Sequence, residues 1–161
     1  METIPTTVVE AVWQDQAQLN WEKAQQLAQS FSKEQPVLLA YLLSTNYDTY
    51  NQDERELLHY LGFAIWQMMS RGSKKLKPVS EESVEKNQER NYKMVEYFSG
   101  ESEATLEKTI RLAFENYNQP NVLRYVVEAL MEEDDEETEI NQANIGLMFL
   151  DLKTVIDCLD Q

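Results

Sequence analysis

Apolar residues recur along most of this chain at spacings of three and four positions, and Glu, Gln, Lys and Ala fill many of the positions between them. Such spacing places the apolar side chains on one face of a helix, and the filler residues are good helix formers. Signals for β-strands are nearly absent. We therefore expect an all-α protein of about eight helices, at residues 6–15, 20–32, 35–46, 52–70, 80–98, 103–116, 120–132 and 140–159.

Local signals predict where several of these helices begin. Asn51 and Glu54 have the spacing of a capping box, in which each side chain accepts a hydrogen bond from the other residue's backbone N–H. Ser80 is a good N-cap residue for the fifth helix. Pro36 and Pro120 suit the first turn of a helix, because no intrahelical bond is lost there through the missing N–H.

The apolar stripes also predict which side chains form the core. The fourth helix has the clearest stripe, which runs from Leu57 to Met69. Truncation of a buried leucine to alanine typically costs about 2–5 kcal/mol, so we expect the stripe positions to dominate stability. The predicted core consists of Trp21, Leu27, Leu39, Leu42, Leu58, Leu61, Ile65, Leu112, Leu123, Val126, Val127, Leu130, Leu147, Leu150 and Val155.

The chain also contains a weak internal repeat. The pattern Gln-Pro-x-x-Leu-x-Tyr occurs at residues 35–41 and again at residues 119–125, and the same interval separates Gly62 from Gly146. The chain has only four prolines and four glycines, so composition alone explains these matches poorly. We predict a duplicated four-helix unit, in which the matched glycines lie inside helices and let a neighbouring helix approach closely.

The predicted copies, residues 6–70 and 90–159 of a single domain, are compatible with two architectures. One is a short solenoid-like array, in which each helix pair covers the next, and the other is a helical bundle. A basic linker, residues 71–79, joins the copies and contains three lysines. We expect it to be a solvated hinge. The alternatives are docking onto the acidic second half and binding of a phosphate-bearing ligand.

The chain is strongly acidic, with 29 acidic residues against 14 basic ones and a net charge of −15. Because phosphate backbones and anionic membranes attract basic proteins, we expect neither direct nucleic-acid binding nor membrane binding. A basic protein surface is the favoured partner. The first residues lack a secretory-signal pattern, no apolar run reaches the roughly 20 residues of a membrane helix, and the single cysteine, Cys158, allows no intrachain disulfide. These features are typical of a cytoplasmic protein.

Residues that carry catalysis or bind metals are sparse. Glu56 and His59 share a helix face, but the chain has one histidine, which excludes the paired Glu-x-x-His motif of di-iron bundles. Cys158 has no histidine near it in sequence, and glycine-rich phosphate loops and nucleophile-elbow motifs are absent. We therefore expect no catalytic, cofactor-binding or metal-binding residues, and a binding protein rather than an enzyme.

Two predicted connections offer candidate partner-binding residues. The segment 46–51 is rich in tyrosine and asparagine, which make good contacts in loops, and its counterpart in the second copy leads into an acidic run, residues 132–139. In a duplicated fold both connections lie on the same edge of the molecule. The alternatives are that the tyrosines pack over their own helix pair and that the acidic run only solubilises the protein. The candidate residues are Tyr47, Tyr50, Asn51, Glu132, Glu133, Asp134, Asp135, Glu136 and Glu137.

Three functions remain open from the sequence. The first is a non-enzymatic protein–protein interaction module with an acidic surface that binds a basic partner. The second is an acidic inhibitor or immunity-type protein that masks a basic nucleic-acid-binding surface. The third is an enzyme or small-molecule binder with a site in a helical groove. The first follows most directly from the helical array, the acidic charge and the lack of catalytic motifs.

Overall fold

The computed structural model describes residues 1–97, 104–132 and 137–161. In these ranges all regular secondary structure is helical, which confirms the all-α prediction. A short 3₁₀ turn, Gln142–Asn144, precedes the last helix. The helices are α1 (Thr6–Ala17), α2 (Trp21–Glu34), α3 (Pro36–Ser44), α4 (Gln52–Ser70), α5 (Glu81–Tyr97), α6 (Ala104–Phe114), α7 (Pro120–Met131) and α8 (Ile145–Leu159).

The four helix starts that carry local signals are confirmed, whereas α8 begins at Ile145, five residues after its predicted start at residue 140. In the capping box of α4, Glu54 N donates to Asn51 Oδ1 (2.8 Å) and Asn51 N donates to Glu54 Oε1 (3.0 Å). At the start of α5, the Ser80 hydroxyl oxygen accepts from the backbone N–H of the residue three positions on (3.1 Å). Pro36 and Pro120 are the first residues of α3 and α7. These starts were predictable because each depends on neighbours in sequence.

The core lies around two long helices, α4 and α8, which pack against each other. α8 is buried along almost its whole length and also contacts α5 and α7, while α1 lies across α4 and α7. None of the helices in the described ranges is long and apolar enough to span a membrane. The largest fully buried side chains of the central pair are Leu58, Leu61, Ile65, Met68, Met69, Met148, Phe149, Leu150 and Leu152.

The core prediction is confirmed for nine residues, half-right for four and wrong for two. Trp21 is 81% exposed because it is the first residue of α2, which is anchored near its other end by the buried Phe31. Leu112 is exposed because α6 turns Thr109 and Ala113 inward instead. The half-buried residues are Leu27, Leu39, Val127 and Leu147, and the buried ones are Leu42, Leu58, Leu61, Ile65, Leu123, Val126, Leu130, Leu150 and Val155.

Two glutamines from the repeated pattern clamp extended segments in the same way. Gln35 and Gln119 are both buried, and each precedes the proline that begins its helix. The Gln35 amide accepts from the N–H of residue 79 (2.9 Å) and donates to the carbonyl of residue 77 (3.0 Å). The Gln119 amide bridges residues 4 and 2 in the same pattern, with both bonds at 2.9 Å. The end of the basic linker is therefore fixed at the start of α3 and is not a free hinge, although most of the linker is exposed to solvent as predicted.

The duplication itself stays a prediction. The matched glutamine bonds agree with it, as do the contacts of α1 with α7 and of α5 with α3. The matched glycines do not, because Gly62 lies in the middle of α4 whereas Gly146 is the second residue of α8. A Cβ at position 62 would lie 2.6 Å from the Leu42 Cδ1 atom, so the close helix approach predicted there exists. At position 146 the nearest atom, Leu106 Cδ1, lies at an ordinary 3.4 Å.

Candidate functional site

The structure brings the two candidate connections together at one edge of the molecule. Asn51 Nδ2 donates to the Glu139 carbonyl (3.1 Å), and Glu139 N donates to Asp53 Oδ2 (2.9 Å). Segment 46–51, between α3 and α4, therefore lies beside residues 137–139, which lead into α8. The predicted residues Glu133, Asp134, Asp135 and Glu136 lie outside the described residues.

A buried glutamate joins the start of α4 to the start of α8. Glu54, which completes the capping box, accepts from Asn141 N through Oε2 (3.1 Å). The Asn144 side-chain amide donates to both oxygens of the same carboxylate (3.1 Å each). With four hydrogen bonds from three residues, this carboxylate is saturated inside the fold and holds the acidic connection in place.

A second buried carboxylate anchors segment 46–51 to α8. Asp151 is fully buried and accepts four hydrogen bonds, two on each oxygen. Tyr41 (3.1 Å) and Tyr92 (2.5 Å) donate to Oδ1, while Tyr50 (2.6 Å) and the Asn46 amide (2.9 Å) donate to Oδ2. Asn46 has a φ of 50°, a left-handed conformation that asparagine tolerates better than most residues. Both ends of the connection are thus tied to one carboxylate.

The tyrosine hydroxyls in this cluster remain donors at neutral pH. Burial, followed by the negative charge of Asp151, raises the pKa of Tyr41 and Tyr50 well above its ordinary value of 10.0. The same two causes raise the pKa of Tyr92 to about 12. Because every oxygen of the carboxylate already has two donors, the cluster is suited to holding structure rather than to proton transfer.

The candidate residues of segment 46–51 have different roles. Tyr50 is 3% exposed, so its prediction as a partner-binding residue is wrong, because burial of its ring against the Asp151 cluster leaves no surface for a partner. Asn51 is exposed, but its side chain already caps α4 and binds the residue 139 carbonyl. Tyr47 is 57% exposed, with the Arg55 guanidinium carbon 4.6 Å from its ring centroid. Tyr47 is therefore the aromatic side chain that this connection presents to solvent.

The acidic side chains at this edge are exposed and unneutralised. Glu132, Glu137 and Glu139 are all exposed. None of the ion pairs in the described part of the chain involves these three carboxylates. No hydrogen bond or ion pair joins them to the basic linker either, within the same residues. We call these three residues and the exposed Asp48 of the neighbouring connection the acidic edge.

A groove of about 900 Å³ runs between α1, α4 and α7, and its lining includes Glu132 of the acidic edge. Its exposed large apolar side chains come one from each helix: Trp13 (53% exposed), Tyr60 (43%) and Met131 (47%). Helical sequence patterns did not reveal this groove, because each helix supplies only one stripe of it. The residues that line it are Thr6, Val9, Glu10, Trp13, Leu57, Tyr60, Leu61, Asn121, Arg124, Tyr125, Glu128, Ala129, Met131 and Glu132.

A third buried polar cluster lies where α5 and the segment after α6 meet α8. Lys153 Nζ donates to Asp157 Oδ2 and to Asn91 Oδ1, both at 2.9 Å, and lies 4.7 Å from the Tyr117 ring centroid. The Tyr117 hydroxyl donates to Asp157 Oδ1 (2.7 Å), and burial, followed by the charge of Asp157, raises its pKa. These groups satisfy one another's hydrogen bonds inside the fold, so none of them is left as a free reactive group.

The residues considered for catalysis or metal binding are not arranged for either. His59 is half-buried with Nε2 3.0 Å from the Leu42 carbonyl oxygen. Cys158 is buried, and burial raises the pKa of its thiol, which opposes formation of a nucleophilic thiolate. Among the described residues, no group of three or more His, Cys, Asp or Glu side chains is placed to hold a metal ion.

Comparison with known proteins assigns neither a family nor a function to this chain. No protein-family model matches this chain, and searches of curated proteins and of solved structures also find no match.

Proposed function

We propose that this chain is a protein–protein interaction module that binds a basic protein partner through the acidic edge. The observation that carries the proposal is the contrast between the acidic edge and two buried carboxylates of the neighbouring connections. Buried Glu54 and Asp151 are saturated by internal donors, whereas Glu132, Glu137 and Glu139 are exposed and have no cationic partner among the described residues.

Two further features support this proposal. The backbone at Glu139 accepts a hydrogen bond from the Asn51 amide and donates one to the Asp53 carboxylate, so this part of the edge is ordered before a partner arrives. Tyr47 adds an exposed aromatic ring beside these acids, and tyrosine offers a large contact area at low entropic cost.

The expected energetic contribution is collective. Exposed ion pairs are worth about 0–1 kcal/mol each, so no single carboxylate on the edge carries the binding. Clustered charges of one sign raise association rates by roughly 10–1000-fold. Screening reduces this gain, because the Debye length is about 8 Å at physiological ionic strength. The acidic edge is thus expected to act mainly on the association rate.

The proposal is tested with a charge-neutralised variant of the acidic run. In the edge variant, Glu132, Glu133, Glu136, Glu137 and Glu139 become Gln, and Asp134 and Asp135 become Asn. The probe is a short lysine-rich peptide, and its association rate is measured across a sodium chloride series. We expect the edge variant to associate at least about tenfold more slowly at low salt and to lose most of the salt dependence.

A matched control separates the edge from net charge. The control variant also loses seven negative charges, but at exposed sites away from the edge: Glu2, Glu22, Glu34, Glu81, Glu82, Glu85 and Glu115 all become Gln. The proposal expects this variant to bind close to the wild-type rate. Equal losses in the two variants would show that net charge alone attracts the peptide, and the acidic edge would have no specific role.

A further inference from the structure

We infer that the groove between α1, α4 and α7 is the docking site for an amphipathic basic helix of the protein partner, with the helix's apolar face on Trp13, Tyr60 and Met131. The inference rests on the proposed function and specifies its partner. It assigns the acidic edge to attraction and the groove to the contact that holds the partner.

The apolar content of the groove is the first argument. The described part of the chain has eight large hydrophobic side chains that are exposed, and three of them line this one groove. The half-buried Tyr125 also lines the groove and adds to its apolar surface. Tryptophan, tyrosine, methionine and arginine are the residues enriched at the centres of protein interfaces, and the groove has all four. Covering these side chains would remove apolar surface that the free protein leaves in water.

Charge complementarity identifies the occupant. Glu10 lies on the α1 side of the groove, and Glu128 and Glu132 lie on the α7 side, so acids flank the apolar surface on two walls. All three are exposed, and the described residues provide none of them with an ion-pair partner. An amphipathic basic helix has the matching arrangement, with an apolar stripe flanked by lysine or arginine. A nucleic acid does not match, because its phosphates would meet these carboxylates.

Among the described residues that line the groove, Arg124 is the one that is basic, and it predicts the direction of the partner. Arg124 lies one helical turn before Glu128 on α7, and Glu132 lies one turn after it. Along the α7 wall, a cation in the partner is repelled near Arg124 and attracted near Glu128 and Glu132. We therefore expect the basic side chains of the docked helix to be concentrated near these two acids.

The mode of contact follows from the groove walls. Three helices supply the lining at positions spaced by three, four and seven, such as Val9 and Trp13 on α1 and Leu57 and Tyr60 on α4. Grooves built this way bind helices through anchors at the same spacings. The groove has a volume of about 900 Å³, which leaves room for several large side chains of a docked helix.

Three synthetic peptides test the inference. The first, about 15 residues long, places leucine at helical spacing and lysine elsewhere, which is near the length at which single helices become stable. The second has the same composition in an order with no apolar face. The third contains lysine alone at the same net charge. Dissociation constants at physiological ionic strength are measured by fluorescence anisotropy, and we expect the first peptide to bind at least about tenfold more tightly than the other two.

A pair of tryptophan variants locates the binding site. Trp13→Ala removes the α1 anchor from the groove, and Trp21→Ala removes a tryptophan that is 81% exposed on α2, outside the groove. Because both side chains are more than half exposed, both variants should keep the fold, and circular dichroism checks this. We expect Trp13→Ala to weaken binding of the first peptide about tenfold and Trp21→Ala to leave it unchanged.

The outcomes separate this inference from the proposed function. If the three peptides bind equally, and Trp13→Ala has no effect while the edge variant loses binding, the groove is not the docking site. The proposal that the acidic edge binds a basic partner would still hold. Tight binding of the first peptide that depends on Trp13 but not on the edge acids would support the groove and overturn the role of the edge. Absence of binding by all three peptides would overturn both.

Discussion

Asp151→Asn is the sharpest test of how the fold holds segment 46–51. The substitution keeps the size and shape of the side chain but replaces one carboxylate oxygen with an amide NH₂ group, which donates and does not accept. The wild-type carboxylate accepts from four donors at 2.5–3.1 Å, two of which come from Asn46 and Tyr50 at the ends of the segment. The single side-chain oxygen of asparagine can accept from only two of these four donors.

The magnitude follows from two opposing effects. A hydrogen bond to a charged group is worth about 1.5–3 kcal/mol, and a buried donor left without an acceptor costs about 1–3 kcal/mol. If the new NH₂ group replaces Oδ2, the Tyr50 hydroxyl can rotate to accept from it, but the Asn46 amide is a donor and cannot. Against this, removing a buried charge relieves a desolvation penalty of several kcal/mol. With four donors lost or weakened against one charge removed, we expect a net destabilisation of about 2–4 kcal/mol.

Urea denaturation monitored by far-ultraviolet circular dichroism measures this change, and the midpoint should fall while the denaturant slope stays constant. In thermal denaturation the same loss corresponds to a fall in Tm of roughly 4–16 °C for a chain of this size. Asp48→Asn is the matched control, because it makes the same chemical change at an exposed aspartate in the same segment. Its free energy of unfolding should stay within about 0.5 kcal/mol of wild type.

An Asp151→Asn protein as stable as wild type, or more stable, would refute this reasoning. That result would mean that the desolvation of the carboxylate costs at least as much as its four hydrogen bonds return. Hydrogen exchange gives an independent check, since the amides of residues 46–51 should lose protection in the variant before the rest of the chain does.

Two further predictions concern packing and pH. Gly62→Ala should destabilise the protein by about 1 kcal/mol despite the better helix propensity of alanine, because the new Cβ would clash with the buried Leu42 side chain. Gly146→Ala should be neutral or stabilising, and urea denaturation compares the two variants. The pKa of the buried tyrosines is higher in the folded protein than in the unfolded chain, so their neutral form stabilises the folded state. This contribution is complete below pH 10.0, the ordinary tyrosine pKa, and is lost as the pH rises through about 12, the pKa of Tyr92 in the folded protein. Stability should therefore fall over that range in an alkaline denaturation series, and Tyr92→Phe should reduce the slope.

The helices could be predicted from sequence because their signals are local. The capping box at Asn51 and the prolines at positions 36 and 120 depend on residues within one turn, and each helix begins where these signals place it. The errors arose where tertiary packing decides. Trp21 and Leu112 lie on apolar stripes, but α2 and α6 are only partly covered by the rest of the molecule, so these two side chains remain in solvent.

The candidate site was less predictable because its parts are distant in sequence. The donors to Asp151 come from α3, the following connection and α5, and periodicity alone treats an aspartate on a helix as a surface residue. The same applies to Glu54, whose partners beyond its own capping box lie 87 and 90 residues away. The sequence places Tyr50 at the surface because its buried acceptor, Asp151, is 101 residues away along the chain. The groove required three helices to be placed together, which no single stripe indicates.

The distribution of acidic residues between interior and surface is what links the fold to the proposed function. A net charge of −15 alone says only that basic molecules are attracted. In the structure, three carboxylates accept hydrogen bonds from donors inside the fold: Glu54, Asp151 and Asp157. These bonds fix α4, α5 and α8 to one another and to the connection before α4. Because that connection is fixed, the exposed carboxylates beside it keep a defined position next to the groove. A partner that recognises both would distinguish this chain from other acidic proteins by the placement of its charges rather than by their number.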